Sequence, residues 1–367
     1  MNRFFRRTRI VFWFIVIAPV LAIGAVLALY FKNDTRRKVT PIRLDYLGTD
    51  KLGPYYLNPA TIEELSTEPV WAETDGRRWL HPVRTCHVAN KHYRQYLDTG
   101  NEVYRTHFLK LTETLIEHAD EDRSALIWPY PISYYPDQQV PWISSMAQGL
   151  VIAVLARAYE TTRDDRYLEL ARRTMLTFER DVRDGGVRYE AARGVFYEEY
   201  AFVEENKQHH TLNGMLAALF GLYDLHKVCG DEHAKELFDQ GVKAIRDNLP
   251  AFDLHFLSSY DLRHEYGEPP LFLSRYHQMH VGQLTILAEM TGDPYFQGVA
   301  DVWDRKLFDP INRLRLTAWY AGYLYRDIRN RIDEKGVKGV AKRLADRALS
   351  RVRDLSRARP HDHLPWT

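Results

Sequence analysis

Val228-Cys229-Gly230-Asp231 closes one apolar helical face and opens another, and the reading of this stretch decides the fold. The glycine suits the left-handed position that follows a helix, and the aspartate suits the cap that begins the next. The same punctuation recurs at Tyr96-Leu97-Asp98-Thr99-Gly100-Asn101 and at Met290-Thr291-Gly292-Asp293-Pro294, and Tyr159-Glu160-Thr161-Thr162-Arg163-Asp164 supplies the aspartate cap without the glycine. Proline directly after Asp293 fits the first turn of a helix, where its missing N–H is no loss. Turns spaced by about 65 residues are what stacked helical hairpins produce.

The segments between the turns carry the matching faces. Leu150, Ala153, Val154, Ala156 and Ala158 continue a pattern from Ile143 and Met146, and Leu168, Ala171, Met175 and Phe178 line the return helix. Met215, Leu216, Leu219, Phe220 and Leu222 form another apolar face, answered by Ala234, Leu237, Phe238, Val242 and Ile245. Short β-like pieces fall between hairpins at 186–189, 195–200 and 256–262. The expected fold is mainly α: an (α/α) barrel or toroid of helical hairpins with short β segments. An open solenoid would give a similar pattern.

Outward from this core the chain changes character. Ile10 to Phe31 is uncharged and long enough to cross a bilayer as a helix. Arg3, Arg6, Arg7 and Arg9 precede it, which favours a cytosolic N-terminus and a folded domain on the periplasmic, extracellular or lumenal side. A cleaved signal peptide is the rival, but the apolar run exceeds a usual signal core. The expected organisation is a basic cytosolic terminus at 1–9, an anchor at 10–31 and a linker with a short β segment at 32–80. A catalytic barrel at 81–326 and a basic amphipathic tail at 327–367 follow. Lys+Arg and Asp+Glu number 50 and 49, so no nucleic-acid partner is expected. Cys86 and Cys229 are the only cysteines and read as separate thiols.

Three distant segments carry the chemistry: Phe196-Tyr197-Glu198-Glu199-Tyr200, Ser259-Tyr260-Asp261-Leu262-Arg263-His264 and Ser274-Arg275-Tyr276-His277. Each places a tyrosine beside charged neighbours, and two add arginine. This set suits removal of a C–H proton next to a carboxylate, as at C5 of a hexuronate. An arginine fork neutralises the carboxylate so that the developing dianion is tolerable. A base on one face and an acid on the other then invert the centre. Tyr200, Tyr260 and Tyr276 are candidates for those roles, with Arg263 and Arg275 as partners and Glu199 as second base or orienting group. With 23 tyrosines in the chain, any single one is more simply a packing residue. Glu198 reads equally well as a cap or a partner of a surface arginine. His277 and His280 stand at i and i+3, and His209 and His210 are adjacent, but no acidic or cysteine ligand has matching spacing. No metal site and no cofactor are expected, and no phosphate loop, GxSxG or HExxH is present.

With Trp142-Ile143-Ser144-Ser145-Met146-Ala147-Gln148-Gly149, Leu212-Asn213-Gly214 and Gly221-Leu222-Tyr223-Asp224-Leu225, these segments resemble, in order, the D-glucuronyl C5-epimerase family of heparan sulfate and heparin biosynthesis. The resemblance runs from about Trp142 to Trp303. It implies an (α/α)-barrel catalytic domain that converts D-glucuronate to L-iduronate within a glycosaminoglycan chain. By the same resemblance, Tyr200, Tyr260 and Tyr276 are catalytic, Glu199 and Arg263 handle the carboxylate, and Asn213 contacts substrate. Arg275, His264, His277 and Gln148 complete the expected substrate-binding set. The implied partners are an acidic polysaccharide, the membrane through the N-terminal helix, and a second copy in a homodimer. Animal-type members carry substantial N-terminal β domains with a calcium site, whereas here only the 32–80 segment precedes the hairpins. The proline that usually follows the EEY triplet is Ala201, and 202–210 is not family-like. The compact form looks more like a microbial member acting on heparosan or another glucuronate polymer. Two rival functions stand beside it. One is a uronate polysaccharide lyase on the same barrel, and the other is a membrane-tethered acidic-glycan-binding protein.

Overall fold

A computed structural model describes residues 52–53 and 66–309, apart from 136–137, 205–206, 269 and 272–273, with scattered positions between 311 and 322. The chain divides into two compact units, Lys38–Leu307 and Met1–Arg37 with Phe308–Thr367. In the latter the described positions include helical residues at 311–312 and 314–316. The expected anchor at 10–31 and basic tail at 327–367 lie outside the described residues, as does most of 32–80. Among the described residues no helix is long and apolar enough to cross a membrane.

The Lys38–Leu307 unit is mainly helical and built from hairpins. Helices α1 (Pro82–Thr99) and α2 (Glu102–Glu117) form the first, α3 (Ser145–Thr162) and α4 (Arg166–Met175) the second. Helices α5 (Leu212–Cys229) and α6 (Glu232–Phe252) form the third, and α7 (Ser274–Thr291) with α8 (Pro294–Phe308) the last. The leading helices pack in a row, α1 on α3, α3 on α5 and α5 on α7. Helices α3 and α5 are buried over most of their length, which explains why their apolar residues run nearly all round rather than along one stripe. They also approach closely. A Cβ on Gly149 would collide with the backbone of Ala218, and one on Gly221 with the carbonyl of Gly149. Gly100, Gly230 and Gly292 take the left-handed conformation at the hairpin turns, and Asn101, Asp231 and Asp293 accept backbone N–H bonds in the turns that follow. In the second hairpin Arg163 holds the left-handed position at φ 61°.

A buried pair ties the row together. Arg157 of α3 donates to the Asp224 carboxylate of α5 at 2.7 Å and to the Gly53 carbonyl at 2.5 Å, with both charged side chains wholly inaccessible. Three two-stranded hairpins decorate the helices: β1 (Trp71–Thr74) with β2 (Arg77–Leu80), β3 (Asp120–Asp122) with β4 (Ala125–Ile127), and β5 (Arg188–Ala191) with β6 (Gly194–Tyr197). The first turns on Asp75-Gly76, both at positive φ, as a tight two-residue hairpin requires. The β-like piece expected at 256–262 is not a strand, since only an isolated bridge joins Asp253 to Ser258. Its amides at Ser259, Tyr260 and Leu262 donate to the carbonyls of Phe252, Leu271 and His209 instead. Cys86 and Cys229 are both free thiols.

Candidate active site

The segments that follow β6 and α6 bring the tyrosines together. The Glu198 amide donates to Val187 and its carbonyl accepts from Ser145, at the start of α3. That fixes the turn carrying Glu199 and Tyr200. Tyr260 is held from both sides: its amide donates to the Leu271 carbonyl at 2.7 Å, and its carbonyl accepts from the Leu212 amide of α5 at 3.1 Å. Tyr276 is the third residue of α7, so this tyrosine lies in the first turn of a helix. The residue before it supplies the cation, Arg275.

The hydroxyls of Tyr200 and Tyr260 share a hydrogen bond of 3.0 Å. The Tyr260 hydroxyl also stands 3.5 Å from each oxygen of Glu199, a long contact. The Tyr276 ring packs 4.5 Å from that of Tyr260, centroid to centroid. Arg275 lies over the Tyr276 ring at 4.9 Å and donates to its hydroxyl at 3.5 Å. Tyr200 and Tyr260 are buried and Tyr276 is half-buried against them, in contrast to the wet hydroxyls that surface packing residues present.

Burial sets the acidities. Desolvation pushes the Glu199 carboxyl up from 4.5 to about 8, opposed by hydrogen bonds from Tyr200 and Tyr260 and reinforced by the nearby Asp261 and Glu198 charges. Tyr200 and Tyr260 are held well above 10, first by burial and then by the Glu199 charge. Tyr276 is raised by burial and by Glu199, while Arg275 pulls it back. The site thus holds neutral phenols around a carboxyl that titrates near neutrality, a range suited to general acid–base work.

Arg263 is engaged. Its Nε donates to Asp261 at 2.8 Å and its Nη1 to Glu268 at 3.2 Å, while the guanidinium stacks over Tyr135 at 5.2 Å. Its Nη2 makes no hydrogen bond among the described residues. Asn213, just inside α5, is buried, and its Oδ1 has no hydrogen-bond partner among the described residues. Beside it, Gly214 leaves room for the Glu199 carboxyl, because a Cβ there would overlap that side chain. His264 is partly buried in the short helical turn Arg263–Tyr266, with Nδ1 unpartnered.

Two expected substrate contacts are used within the protein. Gln148 accepts from the Trp128 amide at 3.3 Å and donates to the Leu126 carbonyl at 2.8 Å, which fastens the end of β4 to α3. His277 accepts from the Ser258 amide at 2.9 Å, and its Nε2 meets the Trp303 carbonyl at 2.8 Å. His280 lies 2.8 Å from the same serine's hydroxyl. This clamp joins the segment of Tyr260 to the helix of Tyr276. Glu198, read as a cap or a surface partner, is instead wholly buried, and it grips His210 through Nδ1 at 2.5 Å and through the amide at 3.0 Å. The adjacent His209 turns elsewhere and meets the Tyr135 ring edge at 4.3 Å. Among the described residues no three His, Cys, Asp or Glu side chains are grouped to hold a metal ion.

Sequence reasoning missed the aromatic wall. Tyr135 packs on Tyr200 at 5.0 Å, Trp142 on Tyr200 at 5.5 Å, and Tyr130 stacks on Trp142 at 4.5 Å. Its only signal was the density of tyrosine and proline in 129–136.

Together these features define a helical-hairpin protein with a cluster of tyrosines around one buried carboxyl. Residues 121–305 match the family described as D-glucuronyl C5-epimerase C-terminus, and the chain belongs to that family. It is 35% identical to a D-glucuronyl C5-epimerase of Caenorhabditis elegans over 176 residues, 44% of this chain. The match spans only 28% of the nematode protein's length. An uncharacterised protein of Methanocaldococcus jannaschii is 26% identical over 68% of this chain and 86% of its own. Among solved structures, an α-1,6-mannanase of Salegentibacter aligns with a TM-score of 0.47 at 14% identity, over 64% of this chain and 63% of that one. The unsaturated glucuronyl hydrolase of Bacillus sp. GL1 aligns at 0.43 and 15% identity, over 61% of each.

Proposed function

We propose that this chain is a glucuronyl C5-epimerase acting within a heparosan- or heparan-type polysaccharide, on a row of hairpins that continues into an (α/α) toroid. The observation that carries the reading is the 3.0 Å bond between the Tyr200 and Tyr260 hydroxyls beside the Glu199 carboxyl. Two hydroxyls so close address one side of a carbon, because groups bracketing it from both faces would stand about 6 Å apart, twice hydrogen-bond reach. Tyr260, Tyr200 and Glu199 are assigned to one face, and Tyr276, whose hydroxyl carries the Arg275 contact, is assigned to the other.

In the forward direction Tyr260 takes the C5 proton while its own proton passes to the Glu199 carboxylate. The electron pair left at C5 delocalises into the substrate carboxyl, whose charge is met by Arg275 and by Nη2 of Arg263. Tyr276 then delivers its proton to the opposite face, and Arg275 supports the phenolate left behind. Water restores both groups, and the reverse reaction retraces the path. The apolar run at 10–31 would hold this domain on the far side of a membrane.

The test is incubation of the protein with heparosan in heavy water, followed by NMR at the uronate C5. Deuterium incorporation with new iduronate signals is the expected result. Unsaturated chain ends would instead indicate a lyase, and no exchange would overturn the assignment to this polymer.

A further inference from the structure

The β1–β2 hairpin and the first turn of α1 precede the segment that matches the family, yet they reach the aromatic wall of the site. Trp79, at the end of β2, meets the Tyr130 ring at 5.5 Å in an edge-to-face contact. Tyr130 stacks on Trp142, which packs on Tyr200, so an unbroken chain of ring contacts fixes Trp79 relative to Tyr200. His81 lies against Trp79 with its ring nearly parallel, at 5.4 Å and 22°. Trp79 and His81 both keep part of their surface open, and Arg84, one turn further on, is exposed.

The chemistry of these three groups is specific. Burial and the nearby Arg84 charge hold His81 at about 4, so its imidazole is neutral near pH 7. Its Nδ1 accepts the Arg84 amide at 3.4 Å, as the N-cap of α1, which leaves the proton on Nε2. That N–H makes no hydrogen bond among the described residues. Arg84 makes no salt bridge among the described residues, yet its charge is felt at Tyr134, next to the tyrosine cluster. An aromatic ring with part of its surface open, a neutral donor and an exposed cation side by side suit an acidic sugar chain.

We propose that Trp79, His81 and Arg84 form a binding subsite for the sugars that flank the reacting uronate. Trp79 takes the C–H face of a pyranose ring, His81 Nε2–H donates to a ring hydroxyl, and Arg84 pairs with the carboxylate of a neighbouring uronate. The proposal rests on the glucuronate-polymer reading of the site. It gives this chain its own way of holding a polymer, through an N-terminal hairpin placed against the site.

Calorimetric titration of the full chain with a heparosan hexasaccharide tests it, because binding is read without turnover. Trp79→Ala is expected to weaken binding about tenfold and Trp79→Phe to restore most of it, as for an aromatic anchor. Arg84→Gln, at an exposed position, should weaken binding about threefold and flatten its salt dependence. Parent-like affinity in Trp79→Ala and Arg84→Gln would overturn the subsite, whatever the epimerase assay shows. So would failure of the parent to bind the hexasaccharide. A parent that binds, with both variants impaired but no C5 exchange, would uphold the subsite and overturn only the reaction.

Discussion

Gly214 gives the Glu199 carboxyl the space it occupies: a methyl group at that position would overlap the glutamate side chain. The first turn of α5 and the Glu199–Tyr200 segment therefore touch without an intervening side chain, and Glu199 stays within reach of Tyr260. Gly214→Ala should displace Glu199, lower C5 exchange by about 100-fold and destabilise the fold by about 1–3 kcal/mol. Deuterium exchange at C5 and denaturant melts would measure the two effects.

Tyr260→Phe keeps the ring against Tyr276 and removes the hydroxyl that joins Tyr200 to Glu199. A loss of about 10²–10⁴ in turnover is expected, the range for a positioned acid–base group, with oligosaccharide binding little changed. Undiminished activity would remove Tyr260 from the reaction.

The Glu199 carboxyl gives the folded protein a definite pH signature. Its value rises from 4.5 in the unfolded chain to about 8 in the fold, so between those limits the folded state holds a proton that the unfolded state has released. Its contribution to stability is largest below pH 4.5, declines as the pH rises and levels off above 8. Glu199→Gln should flatten that decline in melts taken across the window. In the parent, C5 exchange should increase with pH toward 8, as the carboxylate that receives the Tyr260 proton forms.

Arg157 and Asp224 form an ion pair with no accessible surface. Arg157→Met leaves Asp224 buried beside an apolar chain, and a loss of about 3–5 kcal/mol is expected. Replacing both residues with apolar ones should recover part of it, which thermal melts of the single and double variants would show.

The helical frame was legible because its signals are local. Gly100, Gly230 and Gly292 mark left-handed turns that few other residues adopt cheaply, and Asn101 and Asp231 cap the helices that follow. Tyr200, Tyr260 and Tyr276 stood out because each sits among charged neighbours. What stayed hidden depends on contacts across the fold. Nothing near Gln148 or His277 in the chain shows that their polar atoms meet Leu126, Trp128, Ser258 and Trp303. The burial of Glu198 against His210 is equally hidden from the local sequence, and so is the stacking of Arg263 over Tyr135. Tyr135 and Trp142 gain their place only when the proline-rich segment folds back onto Tyr200.

The Ser258–His277 bond has a consequence for the order of folding. Tyr200 and Tyr260 are 60 residues apart in sequence, and the clamp that sets Tyr260 against Tyr276 closes only once α7 has docked. Contacts of such separation form late, after local helices and turns. The full set of three phenols therefore comes together only once α7 is in place, and a chain truncated before His277 is expected to lack the Ser258 clamp that sets Tyr260 against Tyr276.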